Sequence, residues 1–306
     1  MNRFTLLLTT AALLVPQLAS GQTASFPVTV RHATGSATIP RPPQRVAALS
    51  LRTLELLLAL GVQPAGYASS LALPNVRGGQ RLNTVPFYES RVKGGLVYLG
   101  TTDQPSLEAV LALKPDLIVD EDQGTRLNAL SRIAPTLQFA FYLGDGWKKA
   151  LPVLGRALGR EAQVNTFLRD YDGRVRASRA RLAALQGQSV TALVAYDQTL
   201  IALDPRNALG SLFGELGLNV RTPGDRAGDE HGFVPISLET LPALQTDHVV
   251  LINRGGDGAL VRQVQDLAQR GGRRVLTYTY PENLAVAGPL SNLQVLSDLT
   301  QLLSGR

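Results

Sequence analysis

There is no cysteine anywhere in the 306-residue chain. That excludes disulfides, thiolate metal sites and cysteine nucleophiles, so stability has to come from packed cores alone. Histidine is nearly as scarce, at three residues: His32, His231 and His248. Three dispersed histidines form no H-E-x-x-H pair and no cluster of the size a protein-held metal needs. A G-x-S-x-G elbow and a phosphate-binding loop are also missing. The glycine-rich runs RGGQR (77–81), RGGDGA (254–259) and RGGRR (270–274) do not open a helix after a strand with G-x-G-x-x-G spacing, so they read as turns. Basic residues are scattered, which leaves no footprint for nucleic acid. The densest run, RVRASRARL (174–182), reads as the solvated face of a helix.

Long apolar runs are confined to the start. MNRFTLLLTTAALLVPQLASG carries Arg3, an apolar stretch from Phe4 to Val15, and small residues at Ala19, Ser20 and Gly21. These are the three parts of a secretory signal, and the run is shorter than the ~18 apolar residues of a spanning helix. Residues 1–21 are therefore expected to be removed, giving a soluble periplasmic or extracytoplasmic protein. With no cysteine at the junction, no lipid anchor is expected. Without Arg3 the chain keeps 29 basic and 24 acidic residues, a net +5. A modest positive excess suits an anionic small ligand.

What is present is a strand–helix rhythm. PPQRVAALS (42–50) reads as a Pro-bounded buried strand and LRTLELLLALGV (51–62) as a helix stopped at Gly61. PAGYAS (64–69), VYLG (97–100), LIVD (117–120) and RIAPTLQFAFY (132–142) continue it. A short helix over 146–159 and a 26-residue helical pattern over 161–186 follow, the latter with apolar residues at a period of 3.6. The rhythm then resumes with SVTALVAYD (189–197), a helix over 207–219, HVVLIN (248–253), a helix over 259–270, RRVLTYTY (273–280) and a closing helix over 291–303. The expected fold is α/β: two Rossmann-like lobes joined by one long α-helix, with a ligand cleft between them. The expected boundaries are 22–160 for the first lobe, 161–186 for the linking helix and 187–306 for the second lobe.

One phrase occurs twice. PSLEAVLALKPDLIV (105–119) and ISLETLPALQTDHVV (236–250), aligned from Ser106 and Ser237, share Ser, Leu, Glu, Ala, Leu, Asp and Val. Each serine fits a helix N-cap, with Glu108 or Glu239 in the first turn. Favourable capping accounts for both copies. A second reading is a matched pair of exposed carboxylates, one per lobe, placed for two arginines of a docked partner.

In open α/β sheets ligands sit outside the carboxyl ends of the strands. The polar and aromatic residues predicted at such loops are Arg52, Tyr67, Tyr88, Thr102, Arg126 and Trp147 from the first lobe, with Asp122 and Tyr142 nearby. The second lobe offers Tyr196, Arg226, His231, Phe233, Arg254 and Tyr280. Arginine and aromatics together suit an anionic, flat or chelate-like ligand. No catalytic group and no intrinsic cofactor or metal is expected.

RPPQRVAALSLRTLELLLALGVQPAGYA, PSLEAVLALKPDLIV, RIAPT, the W-x₁₁-G-R-E spacing from Trp147 and VPISLETLPAL together resemble the helix-linked periplasmic substrate-binding proteins of ABC importers. The opening TVRHATGSATIPRPPQRVAAL is most similar to the ferric-siderophore branch. The resemblance implies a monomeric binder, not an enzyme, that holds an iron chelate between its lobes and delivers it to an inner-membrane permease. It also implies that Glu108 and Glu239 dock onto that permease. A cobalamin or haem receptor is the alternative within the family, and an envelope enzyme or adhesion module the alternative outside it. Three departures stand out. Thr102 and Asp103 fill positions where related binders carry arginine. Thr101 follows Gly100 where haem binders carry tyrosine, and NLAVAG (283–288) lacks the usual aromatic.

Overall fold

The computed structural model describes residues 25–69, 77–82, 88–121, 126–141, 143–281 and 287–305. The expected signal segment 1–21, Asp122, Tyr142 and residues 283–286 lie outside the described residues. An antiparallel hairpin of β1 (Val28–His32) and β2 (Gly35–Ile39) leads in. Strand β3 (Val46–Ala48) is followed by Ser50, whose hydroxyl accepts the Thr53 N–H at 3.1 Å while Thr53 Oγ1 accepts the Ser50 N–H at 3.0 Å. This reciprocal box starts α1 (Leu51–Ala59) directly at the strand's carboxyl end.

The first lobe continues with β4 (Gly66–Ser69), β5 (Arg81–Leu82), β6 (Leu96–Thr101), α2 (Leu107–Leu113), β7 (Leu117–Asp120), α3 (Leu127–Ser131) and β8 (Thr136–Gln138). Its six strands run in the order β5-β6-β4-β3-β7-β8, with β5 antiparallel to its neighbour and the other pairings parallel. LIVD is buried along its whole length, as a parallel strand covered on both faces must be.

Helices α4 (Gly146–Leu158) and α5 (Glu161–Arg181) follow. At 1.5 Å per residue the 21 residues of α5 span about 32 Å. The helix was expected to reach Gln186, but it ends at Arg181, and a 3₁₀ turn covers Ala183–Leu185. Gln186 closes it: its amide donates to Leu182 O at 3.1 Å and to Leu216 O at 3.0 Å, satisfying a terminal carbonyl.

The second lobe holds β9 (Ser189–Asp197), β10 (Thr199–Leu203), α6 (Gly210–Glu215), β11 (Asn219–Val220), β12 (Phe233–Pro235), β13 (His248–Gly256), α7 (Gly258–Arg270), β14 (Val275–Thr279) and α8 (Pro289–Ser304). The strand order is β12-β10-β9-β13-β14, with β11 beside the start of β9. Strand β10 has no counterpart in the sequence expectation. It turns back from β9 through Asp197, in the left-handed region at φ 48° that aspartate tolerates, and Gln198. The two copies of the repeated phrase also differ. Ser106 caps α2 by accepting the Ala109 N–H at 3.2 Å. The second copy forms a 3₁₀ helix, Leu238–Ala243, and the Ser237 hydroxyl makes no capping bond. Pro242 lies inside that turn and has no N–H to extend it into an α-helix.

Each sheet is packed on both faces by apolar clusters. Helix α8 belongs to both lobes: Leu290 lies in the first-lobe core, while Val295, Leu296, Leu299 and Leu303 lie in the second. Among the described residues no helix is long and apolar enough to cross a membrane.

Candidate functional site

The carboxyl ends of β3, β4, β6 and β7 bring four first-lobe groups together. Arg52 stands in the first turn of α1, where the capping box places it after β3. Its Nη1 lies 3.6 Å from Glu121 Oε2, just past the end of β7, and the Glu121 side chain is only 10% exposed. Burial raises the Glu121 carboxyl above its ordinary range; Arg52 and the Ser50 hydroxyl oppose the shift, and the neighbouring Asp120 adds to it. Arg126 is spoken for differently. Its Nη2 and Nε bind the two oxygens of buried Asp120 at 2.7 and 3.2 Å, and Gln138 donates to the same carboxylate at 3.0 Å. A planar guanidinium matches a carboxylate in this fork geometry.

Two hydroxyls complete this wall. Tyr67 on β4 is 1% exposed, with its ring edge-on to Tyr98 at 6.0 Å. Burial pushes its phenol up to about 12. The Tyr67 hydroxyl, Thr102 Oγ1 and Glu121 Oε2 are buried without a hydrogen-bond partner among the described residues. Buried polar atoms of folded proteins are as a rule hydrogen-bonded, so these three at the strand ends mark a polar wall.

The second lobe answers with Arg254 on β13, Tyr280 after β14 and Tyr196 near the end of β9. The Arg254 guanidinium stacks on the Tyr280 ring at 5.1 Å. Burial lowers the Arg254 pKa, and the positive charge of Arg52 lowers it further. That electrostatic contact crosses from one lobe to the other. Among the described residues Arg254 forms no ion pair with a carboxylate. Tyr196, at 55% exposure, opens this face toward solvent.

Behind the wall sits Glu55, a carboxyl the sequence reading passed over. It is fully buried on α1, accepts the Tyr88 hydroxyl at 2.5 Å, and takes the N–H groups of Leu290 and Ser291 at 2.8 Å each. A first-lobe side chain thus caps α8, the helix that enters the second lobe. A Cβ on Gly288 would collide with Glu55 Oε2, so a side chain there would displace the carboxylate from its donors. Burial pushes the Glu55 carboxyl up to about 7 against the pull of these donors.

Arg52, Tyr67, Thr102, Tyr196 and Arg254 thus line the strand ends, and Arg126 braces Asp120 beside them. The other expected ligand residues are placed differently. Trp147 is 1% exposed and packs edge-on against Phe167 and Tyr171 at 5.9 and 4.9 Å, because its position on α4 faces α5. Tyr88 is equally buried, and its hydroxyl serves Glu55. Arg226 lies in a separate second-lobe groove of about 700 Å³, shared with Arg221, Asp225, Glu239 and Thr240. It is held there by the carbonyls of Pro223 and Pro235, at 3.2 and 3.1 Å. His231 and Phe233 stand at the lobe junction: Asn207, which bridges to Leu143 of the first lobe, donates to His231 O at 2.8 Å. Their rings meet edge-on at 6.3 Å.

Sequence reasoning missed Glu121 and Glu55. The only trace of Glu121 is its place directly after the apolar strand LIVD. Glu55 shows as one acid inside LRTLELLLA, between leucines that face the core. Glu108 and Glu239 are both solvent-exposed, and Glu108 is flanked by Leu107 and Leu111 at 43% and 62% exposure. The Ser237 hydroxyl holds the Glu239 carboxyl below its ordinary range.

A family model described as periplasmic binding protein matches residues 46–269. The Fe(3+) dicitrate-binding periplasmic protein FecB of Escherichia coli is 27% identical over 248 residues, covering 79% of this chain and 77% of that protein. The ferric enterobactin-binding periplasmic protein FepB of Escherichia coli is 28% identical over 254 residues, covering 79% and 78%. Among solved structures, Staphylococcus aureus SirA complexed with staphyloferrin B matches with a TM-score of 0.71 and 22% identity, over 90% of this chain and 98% of that one. At that identity the likeness shows the fold.

Proposed function

The chain belongs to the periplasmic binding protein family, and from that premise we propose that it captures a ferric siderophore between its lobes and delivers it to the permease of an ABC importer. It is a transport protein, and no chemical step is required of it. One arrangement carries the ligand class: Arg52 stands at the strand ends of the first lobe, and Arg254, stacked on Tyr280, stands at those of the second. Two guanidinium groups facing one another repel, and an anion placed between them relieves that repulsion. Ferric complexes of citrate-type and catecholate chelators carry that negative charge on flat, polar surfaces. Tyr280 and Tyr196 add aromatic contact, and Tyr67 and Thr102 supply hydroxyls that a polar ligand rim satisfies.

Glu108 and Glu239 are the docking carboxylates of this reading, exposed one per lobe and aimed at basic side chains of the permease. The protein acts as a monomer, released from the membrane after signal cleavage and without a lipid anchor. A thermal-shift screen of ferric dicitrate, ferric catecholates, ferric hydroxamates, haem and cobalamin tests the ligand class. A cognate ligand at about a hundredfold excess over its Kd stabilises the protein by ~2.7 kcal/mol. A response to haem or cobalamin alone overturns the siderophore reading.

A further inference from the structure

Glu121 is an odd neighbour for an anionic ligand: a buried carboxyl at the floor of the polar wall, 3.6 Å from Arg52. We propose that Arg52 and Glu121 form an exchangeable pair, in which an anionic ferric chelate draws Arg52 away and Glu121 takes up a proton from solvent as it does so. The inference rests on the reading that the cleft receives such a chelate, and it adds how that binding is regulated.

The geometry supports exchange in three ways. The contact is an ion pair outside hydrogen-bond length, and Glu121 Oε2 has no hydrogen-bond donor among the described residues. Loosening the pair therefore sacrifices charge attraction but no directed bond at that oxygen. The second nearby cation is committed elsewhere, since Arg126 forks onto both oxygens of Asp120. Asp120 itself presses a like charge on Glu121. From the second lobe, Arg254 and Tyr280 lie within electrostatic reach of Arg52.

The remaining group is the Ser50 hydroxyl, which favours the ionised form of Glu121 and stays neutral throughout. An anion bound between Arg52 and Arg254 thus changes Glu121's surroundings twice: its counter-cation is shared away and a negative charge arrives nearby. A buried carboxylate so placed neutralises by binding a proton. The arginines keep their charge, and the raised tyrosine phenols keep their protons near neutral pH. Glu121 is left as the group that titrates. Its burial already raises its pKa, in the same direction as both of these changes.

The test is calorimetric titration of the whole mature protein with ferric dicitrate and with an iron(III) tris-catecholate complex, over about pH 6 to 9. Comparing wild type with Glu121→Gln cancels protons taken up by the ligand itself. The expected result is an affinity that falls with rising pH more steeply in wild type, by up to about tenfold per pH unit. Phosphate and Tris buffers should give different wild-type binding heats, and the difference should shrink in Glu121→Gln. Parallel pH profiles overturn the exchange while leaving the siderophore reading intact. Failure of both chelates to bind at any pH overturns the two together. Should Glu121→Gln fail to fold, wild-type heats that are the same in both buffers overturn the exchange by themselves.

Discussion

Substituting Glu55 by glutamine should change the pH dependence of stability more than its size. Glu55 is fully buried, with burial pushing its carboxyl up to about 7 from an ordinary value of 4.5. Folding therefore favours the protonated acid. The resulting stabilisation is fully present below about pH 4.5 and is lost as pH rises through about 7. At about 1.4 kcal/mol per pH unit, wild type should lose about 3 kcal/mol over that window from this group alone. Glutamine has the same shape and no charge, so the variant lacks this loss. At pH 5 it should be less stable by ~1–3 kcal/mol, because its NH₂ meets donors: the Tyr88 hydroxyl on one side, the Leu290 and Ser291 N–H groups on the other. Near pH 8 the gap should close. Urea unfolding of both proteins at the two pH values measures it. A gap that stays constant or widens with pH would refute the reasoning, and would mean that the dipole of α8 and its donors keep Glu55 ionised in the folded state.

Two further outcomes follow from where side chains sit. Trp147→Ala should cost ~3–5 kcal/mol in denaturant unfolding, as expected for emptying the packed site against Phe167 and Tyr171. Trp147→Phe should retain ligand affinity, which calorimetric titration checks, since the ring lies behind the cleft wall. Glu108→Ala and Glu239→Ala, both at exposed positions, should shift stability by no more than about 0.5 kcal/mol and leave ligand affinity unchanged. Together they should impair uptake of labelled iron chelate in a reconstituted transporter, and unchanged transport in the double variant would dismiss the docking role.

The strand–helix rhythm was legible because parallel strands covered on both faces read as unbroken apolar runs, as in LIVD and SVTALVAYD. Arg52 and Arg254 were legible by the same logic, as residues carried on or just beyond such strands. Helix length was less so: the apolar period continues past Arg181, but nothing local announces that Gln186 turns back to cap the end. The repeated phrase suggested equal structures, and Pro242 made them different. Trp147, Tyr88 and Arg226 look alike to a sequence reader, since each is a large polar or aromatic residue near a predicted loop. Only tertiary packing separates an indole wedged between helices from a guanidinium facing a cleft. Glu55 and Glu121 were hidden for the opposite reason. Their partners, Leu290 and Arg52, lie 235 and 69 residues away in sequence, and such pairings have no local signature.

The central claim is that cationic side chains from both lobes hold a negatively charged iron chelate. Calorimetric titration of wild type, Arg52→Gln, Arg254→Gln and the double variant with the best chelate from the thermal-shift screen tests it most directly. Each lost charged contact is worth ~1.5–3 kcal/mol, or roughly ten- to a hundredfold in Kd. The account predicts losses of that size in each single variant and near-complete loss in the double. Chelate binding that survives the double substitution at wild-type affinity would contradict it.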